Sequence, residues 1–160
     1  MNKIFNKIEE SLAAVIMGLM LVLTFTNVIG RYFLSSAISF TEEITTSLFV
    51  LLCTLGAAIA VKKNAHLGLS IITERLSMKK QLYFSIFANL MGLMFAIILT
   101  ITGAEMAYNE YLIKQISITL QWPEWIYGSF VPIGGIFLIV RFTQSILKNY
   151  KEIKKREVKS

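Results

Sequence analysis

The stretch SLAAVIMGLMLVLTFTNVIG, residues 11–30, decides the fold of this chain because its 20 residues include no ionisable side chain. A helix of about 20 apolar residues crosses about 30 Å of hydrocarbon, and backbone groups in lipid must be hydrogen-bonded within the segment. The stretch therefore predicts a transmembrane helix. The rest of the fold depends on how often this pattern is repeated along the chain.

Three further runs without ionisable side chains follow, at residues 44–61, 81–104 and 125–140. The last run is the shortest. Pro123 can open its helix and Arg141 can extend its charge to the interface, so the helix is still long enough to cross the membrane. The sequence predicts an all-α integral membrane protein with four helices. Its single domain, residues 1–160, has predicted spans at 11–32, 42–61, 81–105 and 122–142.

The basic residues predict the orientation of these spans. Of the 16 Lys and Arg residues, 14 lie in the two tails and in the loop between the second and third spans; the others are Arg31 and Lys114. With four spans these three basic segments lie on one side, and basic loops remain in the cytoplasm. Both termini are therefore predicted to be cytoplasmic. The net charge of +6 lies beside the spans, where anionic lipid headgroups account for it without a nucleic-acid partner.

The N-terminal segment also has features of a cleaved secretory signal, including the small residues Ser35, Ser36 and Ala37 after an apolar core. Against cleavage, the core is longer than that of a signal peptide, and Glu9 and Glu10 lie where positive charge is expected. We therefore predict that the first span is retained.

The inner loop contains a candidate interfacial helix. Leu69, Ile72 and Leu76 fall on one helical face, while charged residues point elsewhere, which is typical of a short amphipathic helix in the headgroup region. An ordinary loop with scattered aliphatic residues is the alternative. His66 in the same loop is a lone histidine beside lysines, and a hydrogen-bonded anchor is a better interpretation than a metal ligand.

The outer connections carry helix-start and interface signals. Residues 39–42, Ser-Phe-Thr-Glu, form a capping-box pattern that predicts the start of the second helix. The third helix is expected to continue beyond the bilayer. Pro123 and Glu124 then suit the first turn of the fourth helix, and Trp122 and Trp125 are predicted interfacial anchors.

Within the spans the sequence has small residues instead of charges. Pumps and ion-coupled carriers need ionisable or unwound groups near the midplane, and no such charge is present. Small residues at helical spacing allow helices to approach closely in lipid. Pro132 is expected to kink the fourth helix; a broken, substrate-binding helix is the alternative. The small residues are Ala14 and Gly18, Gly92 and Ala96, Gly56 to Ala58, Gly128, Gly134 and Gly135.

Four charged residues lie at the outer helix ends: Arg31, Glu42, Glu43 and Glu105. A charge-assisted pair between Arg31 and the two adjacent glutamates can clamp the first hairpin, or the cluster can face a partner. The sequence favours neither interpretation. No nucleophile, metal cluster or second histidine completes an acid-base site, so we do not expect an enzyme.

Several short motifs follow one another along the spans. They are Asn27-Val28-Ile29-Gly30-Arg31-Tyr32, Glu42-Glu43, Gly56-Ala57-Ala58, His66 after Lys62-Lys63, Pro123-Glu124-Trp125 and Pro132-Ile133-Gly134. Their order resembles that in the small membrane subunit of tripartite ATP-independent periplasmic (TRAP) transporters. The resemblance covers about residues 10–142, and the one departure is Phe40, where the family often has Trp. Phe lacks the indole donor, so a hydrogen bond from that position is lost.

The resemblance implies a small permease subunit of a sodium-coupled importer in the bacterial inner membrane. A soluble periplasmic protein would capture a carboxylate-bearing solute, such as sialic acid or a C4-dicarboxylate, and a large multi-helix subunit would move it. The small subunit would brace the fixed part, with sodium coupling in the large subunit and no cofactor in this chain.

Two other classes remain as alternatives. A stand-alone small four-helix transporter would need a carboxylate in its first span, which residues 11–30 lack. A membrane redox protein would need paired histidines for haem or paired cysteines for thiol chemistry, and the chain has one His and one Cys.

Overall fold

The computed structural model describes residues 3–33, 39–63 and 78–157, and all regular secondary structure in these ranges is helical. Four of the helical segments are long and apolar enough to cross a membrane. These observations confirm the predicted all-α, four-helix membrane fold. The candidate interfacial helix and His66 lie outside the described residues. The helices are α1 (Lys3–Phe33), α2 (Ser39–Lys62), α3 (Met78–Leu112), α4 (Trp125–Gly128) and α5 (Phe130–Glu157).

The helix boundaries follow the local sequence signals. Helix α2 begins at Ser39, where the capping-box pattern starts, and its Glu42 lies in the first turn. Helix α3 has 35 residues, so at 1.5 Å per residue it is about 50 Å long and exceeds the hydrocarbon thickness. The predicted continuation of the third helix beyond the bilayer is therefore present. Helix α5 also continues well past the predicted end of its span.

The fourth span is formed by α4 and α5 together. Helix α4 ends at Gly128 and α5 begins at Phe130. Ser129 between them has helical dihedral angles, its N donates to the Trp125 carbonyl at 2.9 Å, and Ile133 N donates to the Ser129 carbonyl at 3.2 Å. Pro132, the third residue of α5, cannot bond to the carbonyl of Gly128 four residues earlier. The helical path therefore continues through Ser129, and the missing bond at Gly128 is a local defect in it.

The helices pack as a row in which α5 has the central place. Helix α3 packs most extensively on α5, α2 packs on the other side of α5, and α1 packs on α2. Two apolar clusters fill the contacts. One cluster joins α2, α3 and α5 through Ala58, Val61, Ala96, Leu138 and Phe142. The other joins α1 and α2 through Ile16, Leu51 and Leu55, with Phe130 and Phe137 of α5 against it.

Glycines permit the closest helix contacts. A Cβ atom at Gly134 would overlap the Thr54 side chain of α2, and one at Gly92 would overlap the ring of Phe142. At these two positions the missing side chain makes room for a side chain of the neighbouring helix. Gly18 and Gly56 differ, since a Cβ there would meet nothing within 4 Å. Their small side chains therefore contribute no packing within the chain.

Candidate functional site

Polar contacts join helix ends at the two sides of the row. The start of α1 contacts α5 through Glu9 and Arg141 and contacts the end of α2 through Lys62. At the opposite side, the end of α1 contacts the start of α2 through Asn27 and Glu42. The four long helices therefore alternate in direction, and the described basic ends share one side. We name that side the inner end and the opposite side the outer end.

The inner end contains a buried ion pair between Glu9 and Arg141, which we name the inner clamp. The Arg141 Nε donates a hydrogen bond of 2.9 Å to Glu9 Oε2, and Arg141 Nη2 donates to the same oxygen. The side chains of Arg141 and Glu9 are only 1% and 0% exposed. Arg141 Nη1 also donates to Gln144 Oε1 at 3.0 Å. The expectation that Arg141 extends towards the interface is wrong, because Glu9 supplies a partner inside the protein.

Two further contacts between helices reinforce the inner end, and one bond within α3 lies beside them. Lys62 Nζ lies 2.7 Å from Glu10 Oε1 at the surface. Asn149 Nδ2 of α5 donates to Ser85 Oγ of α3 at 2.9 Å, and Asn89 Nδ2 donates to the Ser85 carbonyl at 2.7 Å. Asn89 and Asn149 are both buried. Near the inner end, polar contacts therefore join α1 to α2 and α3 to α5. The contact of α2 with α5 is apolar.

The outer charges do not form the ion pair that the sequence suggested. Within the described ranges, the ion pairs are those of Glu9 and Glu10, and neither includes Arg31. Glu42 accepts a weak hydrogen bond of 3.5 Å from Asn27 Nδ2. Glu43 points elsewhere and accepts from the Thr119 backbone at 3.3 Å. The two adjacent glutamates therefore contact different parts of the outer end.

The partner of Glu43 is a compact outer loop, residues 113–124. Ser117 N donates to the Trp122 carbonyl at 2.8 Å, and Glu124 N donates to the Gln115 carbonyl at 3.0 Å. Lys114 and Gln121 adopt positive φ values of 51° and 54°, which lets the chain reverse direction. The loop thus has a defined backbone structure, and Glu43 ties it to the start of α2.

The predicted aromatic anchors flank this loop. Trp125 is 39% exposed and contacts Tyr111 edge to face, with ring centroids 6.0 Å apart. Trp122 is exposed. Glu105 is also exposed, and it lines a shallow depression with Asn109 and Gln115 on the α3 side of the loop. Glu105 therefore lies at the outer end, as Glu43 does, but on a separate part of the surface.

Four threonine hydroxyl groups within the spans bond to their own helices. Thr54 Oγ1 donates to the Leu51 carbonyl at 2.9 Å, and Thr100 Oγ1 donates to the Ala96 carbonyl at 2.7 Å. Thr26 and Thr102 make the same type of contact four residues back. Bonds of this kind satisfy the hydroxyl inside the helix and leave no donor for a solute. The hydroxyl protons of these four threonines are therefore engaged within their own helices.

The inner clamp was missed in the sequence analysis. Buried residues continue along one face of α5 beyond its predicted span, at Arg141, Ser145, Asn149 and Ile153. Steps of four residues mark a single helical face. Three of these four side chains are polar, so the sequence has no apolar periodicity that marks this face as buried.

Residues 20–152 match the family described as tripartite ATP-independent periplasmic transporters, DctQ component. The chain is 31% identical over 157 residues to a putative TRAP transporter small permease protein of Haemophilus influenzae, covering 94% of this chain and 90% of that protein. It is 24% identical over 151 residues to the sialic acid TRAP transporter small permease protein SiaQ of Vibrio cholerae, covering 94% and 86%.

A larger relative contains a similar region. The sialic acid TRAP transporter permease protein SiaT of Haemophilus influenzae is 24% identical over 149 residues, which cover 93% of this chain but 24% of that protein. Small permeases of this family work with a large permease and a substrate-binding protein, as predicted. The matched length, the multi-pass helical fold and the agreement with other small permeases lead to one conclusion. The chain belongs to the family of small permease subunits, or DctQ components, of TRAP transporters.

Proposed function

We propose that this chain is the bracing subunit of a sodium-coupled TRAP importer for a carboxylate-bearing solute. It lies in the bacterial inner membrane with both termini in the cytoplasm, anchors the large permease, and helps to dock the periplasmic solute-binding protein. Sodium coupling belongs to the large permease, and this chain catalyses no reaction.

The observation that carries this proposal is the lack of charged groups near the midplane of the spans. The intramembrane hydroxyls of Thr54 and Thr100 are bonded within their own helices, and the spans have no charged residue near the midplane. A carrier needs polar or unwound groups there to bind its solute and coupling ion. The chemistry of transport is therefore assigned to another subunit, and a supporting role remains for this one.

The exposed apolar faces support association with a large partner. In the most hydrophobic window of the first span only 6% of the residues are buried, and in that of the third span 11% are. Outward-facing side chains such as Phe25 and Phe95 are 65% and 61% exposed. Helices at the two edges of a row offer long surfaces against which a larger helical protein can pack. The region of SiaT that resembles this chain, within a larger permease, fits such a side-by-side arrangement.

The outer end supports a role in docking the binding protein. The outer loop has a fixed backbone and is joined to α2 by Glu43, while Glu105 and Trp122 remain exposed beside it. A rigid loop with exposed charge and aromatic groups suits transient contact with a soluble protein. This surface faces the periplasm in the proposed orientation.

The decisive experiment reconstitutes the large permease and binding protein in liposomes with and without this chain, and measures solute uptake driven by a sodium gradient. We expect uptake only when all three proteins are present. This chain alone should give no uptake above that of empty liposomes. Uptake by the chain alone would contradict the proposal and favour a stand-alone small transporter.

The orientation is tested with reporter fusions. A reporter after Ser160, or within residues 73–78, should be active in the cytoplasm, whereas one within residues 110–119 should be active in the periplasm. A periplasmic C-terminus would contradict the proposed topology. It would do so without affecting the assignment of the family.

A further inference from the structure

A groove of about 510 Å³ opens between α1 and α2 near the outer end. Its mouth is polar and includes Asn27 and Glu42, whereas Met20 and Phe49 lie seven residues deeper along their helices. Seven residues correspond to about 10 Å of helix. The groove therefore changes from polar to apolar over about the depth that separates a lipid headgroup from the start of the acyl region.

A second, apolar groove continues from the first along α1. It is lined by Met17, Leu21 and Phe25, and it shares Met20 and Thr24 with the polar groove. Phe25 and Leu21 are 65% and 71% exposed, so this surface is uncovered in the chain itself. The shared residues make a continuous path from a polar mouth to an apolar channel.

The mouth of the groove presents two opposite charges that do not pair with each other. Glu42 is exposed, and its described contact is the 3.5 Å hydrogen bond from Asn27. Arg31 follows Asn27 by four residues on α1, so it lies one turn further out on the same side of the helix. Neither charge belongs to an ion pair within the described ranges. At the edge of a bilayer, where screening by water is reduced, each charge attracts a counter-ion.

We propose that the groove binds one phospholipid with an ammonium headgroup, phosphatidylethanolamine, in the outer leaflet. The ammonium group donates to the Glu42 carboxylate, the phosphate lies at Arg31, and one acyl chain follows the apolar groove past Met20 and Thr24. The carboxylate at the mouth selects against phosphatidylglycerol, whose headgroup has no positive charge. The lipid fills the surface between α1 and α2 and thereby extends the row at its exposed edge.

The test uses native mass spectrometry of the purified chain with equal amounts of phosphatidylethanolamine and phosphatidylglycerol. Wild-type protein should retain phosphatidylethanolamine in preference. Glu42→Gln should lower that retention by about five- to tenfold, the change expected from removing one charge-assisted contact. Glu105→Gln is the matched control, because it removes an outer carboxylate outside the groove and should leave retention unchanged.

A second variant keeps the test valid if Glu42→Gln does not fold. Thr24→Phe leaves both charges in place but fills the passage between the two grooves, so it should also reduce retention. Equal retention of both lipids by the wild type, or undiminished retention by both variants, would overturn the proposal. The same experiment on the complex with a large permease decides between occupants, because absence of the lipid there would assign the groove to a helix of that partner.

Discussion

The two ends of the helix row are held together in different ways. At the inner end, Glu9 and Arg141 form a fully buried ion pair, and Asn149 bonds to Ser85 across a second helix pair. At the outer end, Glu42 has a weak contact with Asn27, and Glu43 binds a loop backbone. The inner end therefore pairs its buried charges within the chain, although Glu9 Oε1 and Asn89 Oδ1 are buried without a hydrogen-bond partner. The outer end leaves Arg31 and Glu42 outside any ion pair of the described residues, a difference that agrees with the docking role we propose for this end.

The largest expected effect comes from breaking the inner clamp. Glu9→Ala leaves the Arg141 guanidinium buried with Gln144 as its described neutral partner, and removing one member of a buried ion pair costs about 3–5 kcal/mol. We expect a large fall in the temperature at which the protein loses its monodisperse peak in detergent. The double change Glu9→Leu/Arg141→Met is the control. It should recover most of the loss, because no buried charge remains, and failure to recover would contradict the assigned cause.

The next largest effect is expected at the contact of α2 with α5, between the inner and outer ends. Gly134→Ala places a methyl group against the Thr54 side chain, and overpacking of this kind costs about 1–3 kcal/mol. Thermal stability in detergent should fall, and the added change Thr54→Ala should restore part of it. Gly18→Ala is the matched control, since open space surrounds that position. Equal losses for Gly18 and Gly134 would show that the space beside Gly134 is not the cause.

An outer variant should affect assembly more than stability. Glu43→Ala releases Thr119 and frees the outer loop from α2, while the inner clamp stays intact. We expect about fivefold weaker binding of the solute-binding protein to the reconstituted complex, consistent with the loss of about one positioning hydrogen bond. The melting temperature of the chain should change little. Unchanged binding of the solute-binding protein would remove the outer loop from the docking surface.

The smallest effect is expected at the surface contact of the inner end. Lys62→Ala removes the partner of Glu10; the Lys62 and Glu10 side chains are 16% and 52% exposed, and an ion pair with one well-hydrated member contributes little to stability. The thermal stability of this variant in detergent should equal that of the wild type at moderate ionic strength. A fall comparable to that of Glu9→Ala would show that the inner end is held by a charge network and not by one buried pair.

The sequence predicted where the helices lie along the chain better than it predicted which helices pack together. Runs without ionisable residues identify four spans because burying a charge in lipid is costly, and the capping-box pattern identifies the start of α2 at Ser39. These signals are local. The pairing of Glu9 with Arg141 joins positions 132 residues apart, and it depends on which helices become neighbours in the row. Nothing in the composition of either segment specifies that choice.

The contacts of the outer charged residues were also not predictable from the sequence. Arg31, Glu42 and Glu43 are close in the predicted topology, so an ion pair among them was a reasonable expectation. Helix rotation decides the outcome, because adjacent residues on a helix point about 100° apart. Glu42 consequently faces α1 while Glu43 faces the outer loop. A one-residue difference in sequence thus separates a groove residue from a loop anchor.

The separation of Glu9 from Arg141 has a consequence for biosynthesis. At a translation rate of about 5–20 residues per second, the 132 residues between them take about 7–26 s to make. During this interval the growing chain already contains the Glu9 carboxylate at the membrane boundary, but its guanidinium partner does not yet exist. Only a chain that has been translated through α5 can form this ion pair. Truncated products that end before Arg141 therefore lack the buried contact that joins α1 to α5 in the finished subunit.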